Sequence, residues 1–419
     1  MAGERSLWRH RDFMLLLSGQ TASLLGAEVS TLALPLIAVL VLDASVMQVG
    51  VLAALHSVPV LLASLQAGAI VDRSRKRPIM IASNLVAAAV MASVPVAAVA
   101  GALGMPHLYV VALLAGLCEV FFGAAYQSYP PNLLGPERLL DGNAKLATSL
   151  SLAVITGPIL GGGLITLVGA ARAVLADALS FLVSAVTVML IRTPEPDPGP
   201  RPSGARLRME IAEGLRFTLR HPMLRPVILS GAVCAFLLAG VRAIWTVYLV
   251  RELGWSAAVL GLVWGISGVG GTIGGLVASR LGARYGLPRV MLVARLGYPV
   301  TYIPLVLISP GVAGQVVITI AFTVELVAAF VYNITHSSFR QLVCPPRLLG
   351  RMNATNRWLS WGAAPLGALL AGTLGSLLGL RTTLVGFVVA LAVPALILWL
   401  SPLRALRDVP VHESHLKTA

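Results

Sequence analysis

Almost uncharged apolar stretches of about 20 residues recur along this 419-residue chain, and they constrain its fold more than any other feature. Each stretch is long enough for a helix to cross a hydrocarbon core about 30 Å thick. Overall, 57% of the residues are hydrophobic and only 11% are charged. Backbone N–H and C=O groups inside a bilayer must be hydrogen-bonded internally, so these stretches predict helices. We therefore expect an all-α membrane protein.

The apolar stretches predict twelve transmembrane helices. We place them at about 13–41, 46–71, 78–100, 108–129, 144–168, 172–191, 224–250, 256–279, 288–309, 313–336, 355–378 and 382–401. Lys and Arg concentrate in alternate connections, so the positive-inside rule predicts that both termini are cytoplasmic. The net charge of +14 then reflects orientation in an anionic membrane, and no nucleic-acid partner is expected.

One connection divides the chain into two sets of six spans. A Pro-rich segment, RTPEPDPGPRPSG, is followed by ARLRMEIAEGLRFTLRHP, in which Leu207, Ile211, Leu215 and Leu219 recur every fourth residue. This spacing predicts an amphipathic helix on the cytoplasmic membrane surface. The predicted domains are an N-terminal six-helix bundle at 1–191, this linker at 192–223, a C-terminal bundle at 224–401 and a cytoplasmic tail at 402–419.

The two halves also share three motifs at nearly the same offset. GAIVDRSRKR from Gly68 has a degraded counterpart in GLVASRLGAR from Gly275, and RLLDGNA is matched by RLLGRMNA. A glutamate followed seven residues later by a tyrosine occurs in both halves, at Glu119 and at Glu325. Agreement among independent motifs indicates an internal duplication, which is common in transporters, and predicts two pseudo-symmetric bundles.

Two motifs carry a resemblance to a known family. The first joins spans two and three and comprises Gly68, Asp72, Arg73, Lys76 and Arg77; the second, TGPILGGG in span five, comprises Gly157, Pro158, Gly161 and Gly162. With twelve spans in two sixes, they resemble the major facilitator superfamily, of the drug:proton antiporter type. Finer features are similar to the branch that contains macrolide-efflux and enterobactin-exporter proteins. The resemblance implies a central cavity, alternating access, export and energy from the proton gradient, although Ala153 replaces the leading glycine of the second motif.

The first motif interrupts an apolar chain with a cluster of charges. Asp72 can accept charge-assisted hydrogen bonds from Arg73, Arg77 or a neighbouring helix end, while Gly68 allows close helix approach. We expect a cytoplasmic latch that breaks when the halves rock. In the alternative, the basic residues only anchor the topology.

Four ionisable residues lie within spans, where a charge is costly and is normally functional. They are Glu28, Glu119, Arg242 and Glu325, in spans one, four, seven and ten. The resemblance implies that these four spans line the cavity. Burial favours a protonated carboxyl group and a nearby cation favours its ionised form, so we expect these residues to couple protons or to bind substrate. The alternative for Glu119 and Glu325 is a structural hydrogen bond to a neighbouring span. Glu28 and Arg242 could form a salt bridge with each other, as a gate or as a static tie.

Other residues within spans are weaker candidates. An aromatic lining for a flat or cationic ligand is predicted at Tyr126, Trp245, Tyr248 and Tyr332, although packing is the commoner role of such side chains. Structural roles are expected for Asp177 and Arg295, and a hydrogen-bonded core position for His56.

The sequence favours a transporter over other classes of protein. It lacks a nucleotide-binding G-x-x-x-x-G-K-[ST] motif, and it lacks the residue groupings of the common membrane enzymes. The three cysteines are widely separated, so we expect no cofactor, metal or disulfide. We expect a monomeric, multi-pass protein of a bacterial cell membrane that exchanges protons for a largely apolar small molecule, cationic or neutral, such as an antibiotic or secondary metabolite. The alternatives are proton-coupled uptake and a receptor-like protein that binds without transport.

Overall fold

The structure is a computed structural model that describes residues 7–195, 213, 215–308, 310–345 and 348–406. The described chain is helical and contains twelve helices long and apolar enough to cross a membrane, as the sequence predicted. Numbered in chain order, spans 1 to 12 are Arg11–Val41, Val46–Ser64, Lys76–Val99, Met105–Leu134, Leu139–Val168, Ala170–Leu190, Leu224–Arg251, Ala257–Tyr285, Leu287–Leu307, Val312–Val343, Thr355–Leu378 and Leu380–Trp399. The helix of span 2 continues to Asp72.

The chain divides into two compact units. Unit 1 comprises Met1–Arg201 with Trp255–Gly265, and unit 2 comprises Pro202–Gly254 with Ile266–Ala419. The start of span 8 thus belongs to unit 1. Of the predicted surface helix, the described residues 213 and 215–220 are helical, and the rest lies outside the described residues, as does most of the predicted tail. The predicted domain boundaries and the cytoplasmic side of both termini stay predictions.

Unit 1 is built by close packing of its first six spans. Span 1 packs against spans 5 and 6, span 2 packs against span 4, and span 3 packs against spans 4 and 6. Small residues permit this packing, as at Gly19, where a Cβ atom would lie 2.0 Å from Oγ1 of Thr187. A cluster of larger buried side chains, including Phe13, Met80 and Tyr129, fills one region of the unit. Steric fit between helices is the main source of packing energy in a bilayer, where lipid tails are as apolar as the helices.

Unit 2 is organised around span 7. Span 7 packs against spans 11 and 12, and span 9 packs against spans 10 and 12. The tightest approach is at Gly367 of span 11, where a Cβ atom would lie only 1.8 Å from the backbone oxygen of Phe236. That neighbour is backbone and cannot rotate away, so the contact requires glycine.

We expect Gly367→Ala to lower the thermal midpoint of the purified protein. The added methyl group must push spans 7 and 11 apart, and overpacking of this kind typically costs about 1–3 kcal/mol. Gly386→Ala in span 12 is the matched control, because a Cβ atom at Gly386 meets nothing within 4 Å. Since alanine favours helix over glycine, the control should unfold at the same or a higher temperature. Equal midpoints for the two variants would contradict the contact.

Single glycines form two equivalent helix junctions, one in each unit. Gly169 separates spans 5 and 6 with φ +83° and ψ +155°, and Gly379 separates spans 11 and 12 with φ +85° and ψ +157°. Residues with a side chain rarely adopt a positive φ, so each sharp junction depends on glycine. The same backbone geometry at matching places agrees with the duplication inferred from the sequence.

Candidate functional site

A carboxylate and an imidazole on neighbouring helices form the main candidate site of unit 1. Glu119 lies in the helix Met105–Gln127 and His56 in the helix Val46–Asp72. The Oε2 atom of Glu119 lies 3.7 Å from Nε2 of His56, and the two side chains are 73% and 47% exposed. This separation suits an ion pair with a protonated imidazole and is too long for a hydrogen bond. The pair provides two adjacent groups that can each bind a proton.

The exposure of these two side chains differs from the sequence expectation for His56. A hydrogen-bonded core position was predicted for that histidine, whereas its ring faces Glu119 and is half exposed. The prediction is wrong because the acid that attracts the ring lies 63 residues away in sequence, on a helix whose register the sequence does not reveal. Ionisable side chains within spans normally face water or protein rather than lipid. This face of unit 1 therefore has the chemistry of a polar site.

Gly116 determines how closely the helices of His56 and Glu119 approach. It precedes Glu119 by about one helical turn, and a Cβ atom there would lie 2.2 Å from the backbone oxygen of His56. The same atom would lie 3.3 Å from Cγ of Pro59. Any larger residue would press directly on the backbone that carries the imidazole. Gly116 thus positions the pair without contributing a polar group.

Glu28 lies against span 5, inside unit 1. Its side chain is half-buried, and a Cβ atom at Gly157 would lie 2.6 Å from Cβ and 2.8 Å from Cγ of Glu28. Gly157 therefore leaves room for the stem of this acid. The salt bridge with Arg242 that the sequence suggests would join the two units, and it stays a prediction.

The glycines of the second motif place span 5 against two other spans of unit 1. A Cβ atom at Gly161 would lie 3.1 Å from Cα of Val29 in span 1. At Gly162 it would lie 2.6 Å from the backbone oxygen of Ala257 at the start of span 8. Pro158 lies inside the same helix, where it cannot donate a backbone hydrogen bond. The motif is thus a close-packing surface, as glycines four residues apart in a span lead one to expect.

Asp177 is a buried acid in span 6 with local partners. It is 1% exposed, and the hydroxyl group of Ser180 lies 3.3 Å from its Oδ1 atom. A Cβ atom at Gly26 of span 1 would lie 2.8 Å from the same oxygen. These contacts suit the structural role that the sequence favours.

The basic residues of the first motif bind helix ends within unit 1. The guanidinium group of Arg77 donates to the backbone oxygen of Val188 at 3.0 Å and to that of Met189. The backbone N–H groups of Lys76 and Arg77 donate to the carboxylate of Glu195. An acid at a helix start and a cation at a helix end both complement the helix dipole. The motif therefore ties the start of span 3 to the end of span 6.

The contacts of Asp72, Arg73 and Gly68 do not test the predicted cytoplasmic latch, which stays a prediction. The helix of span 2 ends at Asp72, whose side chain lies outside the described part of the structure, and Arg73 is half-buried just after it. The close helix approach expected at Gly68 is not found, because a Cβ atom there meets no described atom within 4 Å. The sequence interpretation of Gly68 is wrong in this respect, since the residue faces open space.

In unit 2 the corresponding acid has a different environment. Glu325 in span 10 is 4% exposed, and its carboxylate is attracted by the guanidinium group of Arg242 in span 7. Arg242 also interacts with the hydroxyl group of Tyr302, and unlike Glu325 it is exposed. The duplication therefore gives an exposed carboxylate with a histidine in unit 1 and a buried carboxylate with an arginine in unit 2.

The four aromatic residues predicted to line a cavity differ in their exposure. Trp245 is half-buried, and its ring centroid lies 5.0 Å from that of Phe322. Tyr126 is half-buried and stacks on Phe122 at 5.7 Å. The other two candidates, Tyr248 and Tyr332, are only 1% and 3% exposed. This differs from the exposed lining that the sequence predicts, because both rings pack inside unit 2.

We expect Glu325→Gln and Arg242→Gln each to lower the thermal midpoint of the purified protein. Either change removes the electrostatic attraction between the two side chains, and Glu325 is the buried member of the two. The double variant Arg242→Gln/Glu325→Gln removes both charges and should unfold at a higher temperature than Arg242→Gln alone, which leaves the buried carboxylate of Glu325 without a cation. If the effects of the two single changes simply add, the two side chains are not paired.

The structure also reveals residues that the sequence did not single out. Glu195 lies in the Pro-rich connection, and Tyr302 and Phe322 lie within apolar spans, where aromatic residues are common. An acid just after a span is a recognisable signal, because it can cap a nearby helix start. The pairing of Tyr302 with Arg242 depends on tertiary packing and has no local signal.

Comparison with known proteins agrees with this architecture. A sequence model of the Major Facilitator Superfamily matches residues 16–365. The chain is 29% identical over 374 residues to the multidrug efflux pump Tap of Mycolicibacterium fortuitum, covering 85% of this chain and 86% of that protein. It is 26% identical over 314 residues to the enterobactin exporter EntS of Salmonella typhimurium, covering 73% of each.

Solved structures share the fold at low sequence identity. A crystal structure of a point mutant of the nucleoside transporter NupG matches with a TM-score of 0.77 at 14% identity, over 93% of this chain and 99% of that one. A bacterial homologue of the iron transporter ferroportin matches with a TM-score of 0.74 at 16% identity, over 94% and 98% of the two chains. At such identities the likeness concerns the fold alone.

Proposed function

The chain belongs to the Major Facilitator Superfamily, and from this premise we propose that it exports a largely apolar small molecule, cationic or neutral, in exchange for protons. Family membership makes it a multi-pass membrane transporter and not an enzyme, as its sequence indicated. The similar proteins named as a multidrug efflux pump and an enterobactin exporter support the outward direction.

The exposed pair of Glu119 and His56 is the observation that carries the proton-coupled part of the proposal. A carboxylate that accepts a proton from one side loses its charge and its attraction for a cation. When the proton leaves, the carboxylate can attract a cationic group or the neighbouring imidazolium. Proton and substrate therefore compete for Glu119, and such competition couples their opposite movements in alternating access.

Glu28 and Glu325 are two further acids that can bind a proton or substrate in this mechanism. Arg242 attracts the carboxylate of Glu325 and favours its ionised form. The half-buried Trp245 of unit 2, which packs on the buried ring of Phe322, offers apolar surface that suits a largely apolar compound. Because most of the recognition is then apolar, we propose a broad substrate range, with antibiotics and secondary metabolites as the class to test first.

Accumulation of toxic compounds tests the proposal in efflux-deficient bacteria. Cells that express the transporter should accumulate less of at least one compound than cells with an empty vector, and a protonophore should remove the difference. Greater accumulation on expression would favour proton-coupled uptake instead. Unchanged accumulation across a broad panel, with binding of a compound to the purified protein, would favour a receptor-like protein.

We further propose that the protein acts as a monomer in a bacterial cell membrane, with both termini in the cytoplasm. A reporter that fluoresces only in the cytoplasm, fused to the C-terminus, should be bright. The purified protein should have the mass of one chain plus bound detergent in light scattering. A dark fusion or a dimeric mass would overturn the respective statement.

A further inference from the structure

Two arginines share a buried cluster with a tyrosine and a histidine in unit 2. The guanidinium carbon of Arg295, in span 9, lies 3.7 Å from the ring centroid of Tyr332 in span 10. The Tyr332 ring stacks on that of His336, with centroids 5.2 Å apart and planes inclined by 18°. Arg340 follows one helical turn later and acts on His336 electrostatically, as does Arg295. We call these four residues the arginine cluster.

Each member of the arginine cluster has a buried polar atom without a hydrogen-bond partner. The side chains are between 3% and 8% exposed. The unpartnered atoms are Nε of Arg295, the hydroxyl oxygen of Tyr332, Nε2 of His336 and Nε of Arg340. Each of these atoms can donate a hydrogen bond. The cluster thus offers four donors from two helices and lacks matching acceptors in the described part of the chain.

The charge of the arginine cluster is also unbalanced. No described carboxylate lies within 4.0 Å of either guanidinium group. The polar partners of Arg340 are neutral: its Nη1 atom donates to Oδ1 of Asn353 at 2.8 Å and lies 3.7 Å from the sulfur of Met352. Stacking on an aromatic ring compensates a buried cation only in part. A buried charge without a counter-ion is costly, so an anion would be held strongly here.

The corresponding part of unit 1 does not repeat the arginine cluster. Tyr126 corresponds to Tyr332 in the duplication, yet its stacking partner is Phe122. No cation–π contact to the Tyr126 ring is found among the described residues. The fold therefore forms the same helix pair without these charges, which argues against a purely structural need for them.

We propose that the arginine cluster binds an oxyanion, either a carboxylate or a phosphate, supplied by a small solute or by a lipid headgroup. Guanidinium groups present several donors in one plane and suit such oxygens, and the tyrosine and histidine add two neutral donors. The anion approaches from the side of Arg340 and His336, which keep 8% and 7% of their surface exposed, next to the exposed Asn353. This inference does not depend on the direction of transport or on Glu119.

Thermal unfolding of the purified wild type tests the site at constant ionic strength. Sodium phosphate, sodium acetate and short-chain phosphatidylglycerol are titrated separately, with sodium chloride and short-chain phosphatidylcholine as references. We expect a saturable rise in the midpoint with at least one of the three oxyanions. A rise with phosphate or acetate identifies a solute site, and a rise with phosphatidylglycerol alone identifies a headgroup site. If none of them raises the midpoint above its reference, the proposal is wrong.

Variants then locate the binding. Tyr332→Phe keeps the stacked ring and removes only its hydroxyl group, so it should fold normally and bind about fivefold more weakly. Arg340→Gln should abolish the rise, whereas Arg289→Gln, at an exposed arginine of span 9, should retain it. An unchanged affinity in Tyr332→Phe, or equal losses in Arg340→Gln and Arg289→Gln, would place the binding elsewhere and overturn the proposal.

Discussion

Glu119→Gln is expected to abolish proton-driven export, so that cells accumulate as much toxic compound as cells with an empty vector. Glutamine has nearly the shape of protonated glutamate but can neither release a proton nor carry a charge. Little packing is lost in this variant, because 73% of the side-chain surface is open and glutamine has nearly the same size. The variant should therefore reach the membrane in normal amounts, and its loss of function would report on charge alone.

Two comparisons sharpen this prediction. Glu137→Gln changes an exposed acid in the connection before span 5 and should leave export unchanged. In liposomes, efflux of substrate from Glu119→Gln down its own gradient should no longer move protons in the opposite direction. Full proton-driven export by Glu119→Gln would remove the role proposed for this residue, and equal losses in both variants would point to surface charge in general.

Gly116→Ala is expected to reduce export almost as strongly, although it changes no polar group. The new methyl group would lie 2.2 Å from the backbone oxygen of His56, so spans 2 and 4 must separate. Separation moves His56 away from Glu119 and weakens a pair that already lies at the limit of ion-pair distance. Overpacking also costs about 1–3 kcal/mol of stability, which should lower the thermal midpoint.

Gly123→Ala is the matched control in the same helix. A Cβ atom at Gly123 meets nothing within 4 Å, so this variant should keep both export and stability. Export and thermal midpoint are measured on the same preparations of each variant. The positional role of Gly116 is wrong if its variant exports as well as the wild type, or if the two glycine variants behave alike.

The sequence predicted the number of spans well because hydrocarbon thickness imposes a length and a composition on every helix. It also led to Glu119 and Glu325, since an acid within an apolar span is conspicuous. It did not predict their partners. His56 faces Glu119 and Arg242 attracts Glu325, each from another helix. Which side chains meet depends on how each helix is rotated about its axis. A helix that is apolar on every face gives no sequence signal for that rotation.

Glycine was informative in some places and misleading in others. The spacing of Gly157 and Gly161 predicts a packed surface and the structure shows one, whereas Gly68 faces open space. A glycine only permits close approach, and another helix must be present to use it. Likewise the sequence treats Tyr332 as a lining aromatic, because it cannot show that Arg295 covers the ring.

The one-residue junctions at Gly169 and Gly379 have a mechanical consequence. Two helices joined by a single residue of fixed conformation cannot slide along each other, so each pair behaves as a stiff hairpin that tilts as a whole. A push on span 5 at Gly157, where it meets Glu28, is then delivered to span 6 without slack. Any bending within a unit must therefore occur at the longer connections. The junctions at Gly169 and Gly379 transmit motion between their two helices and do not bend.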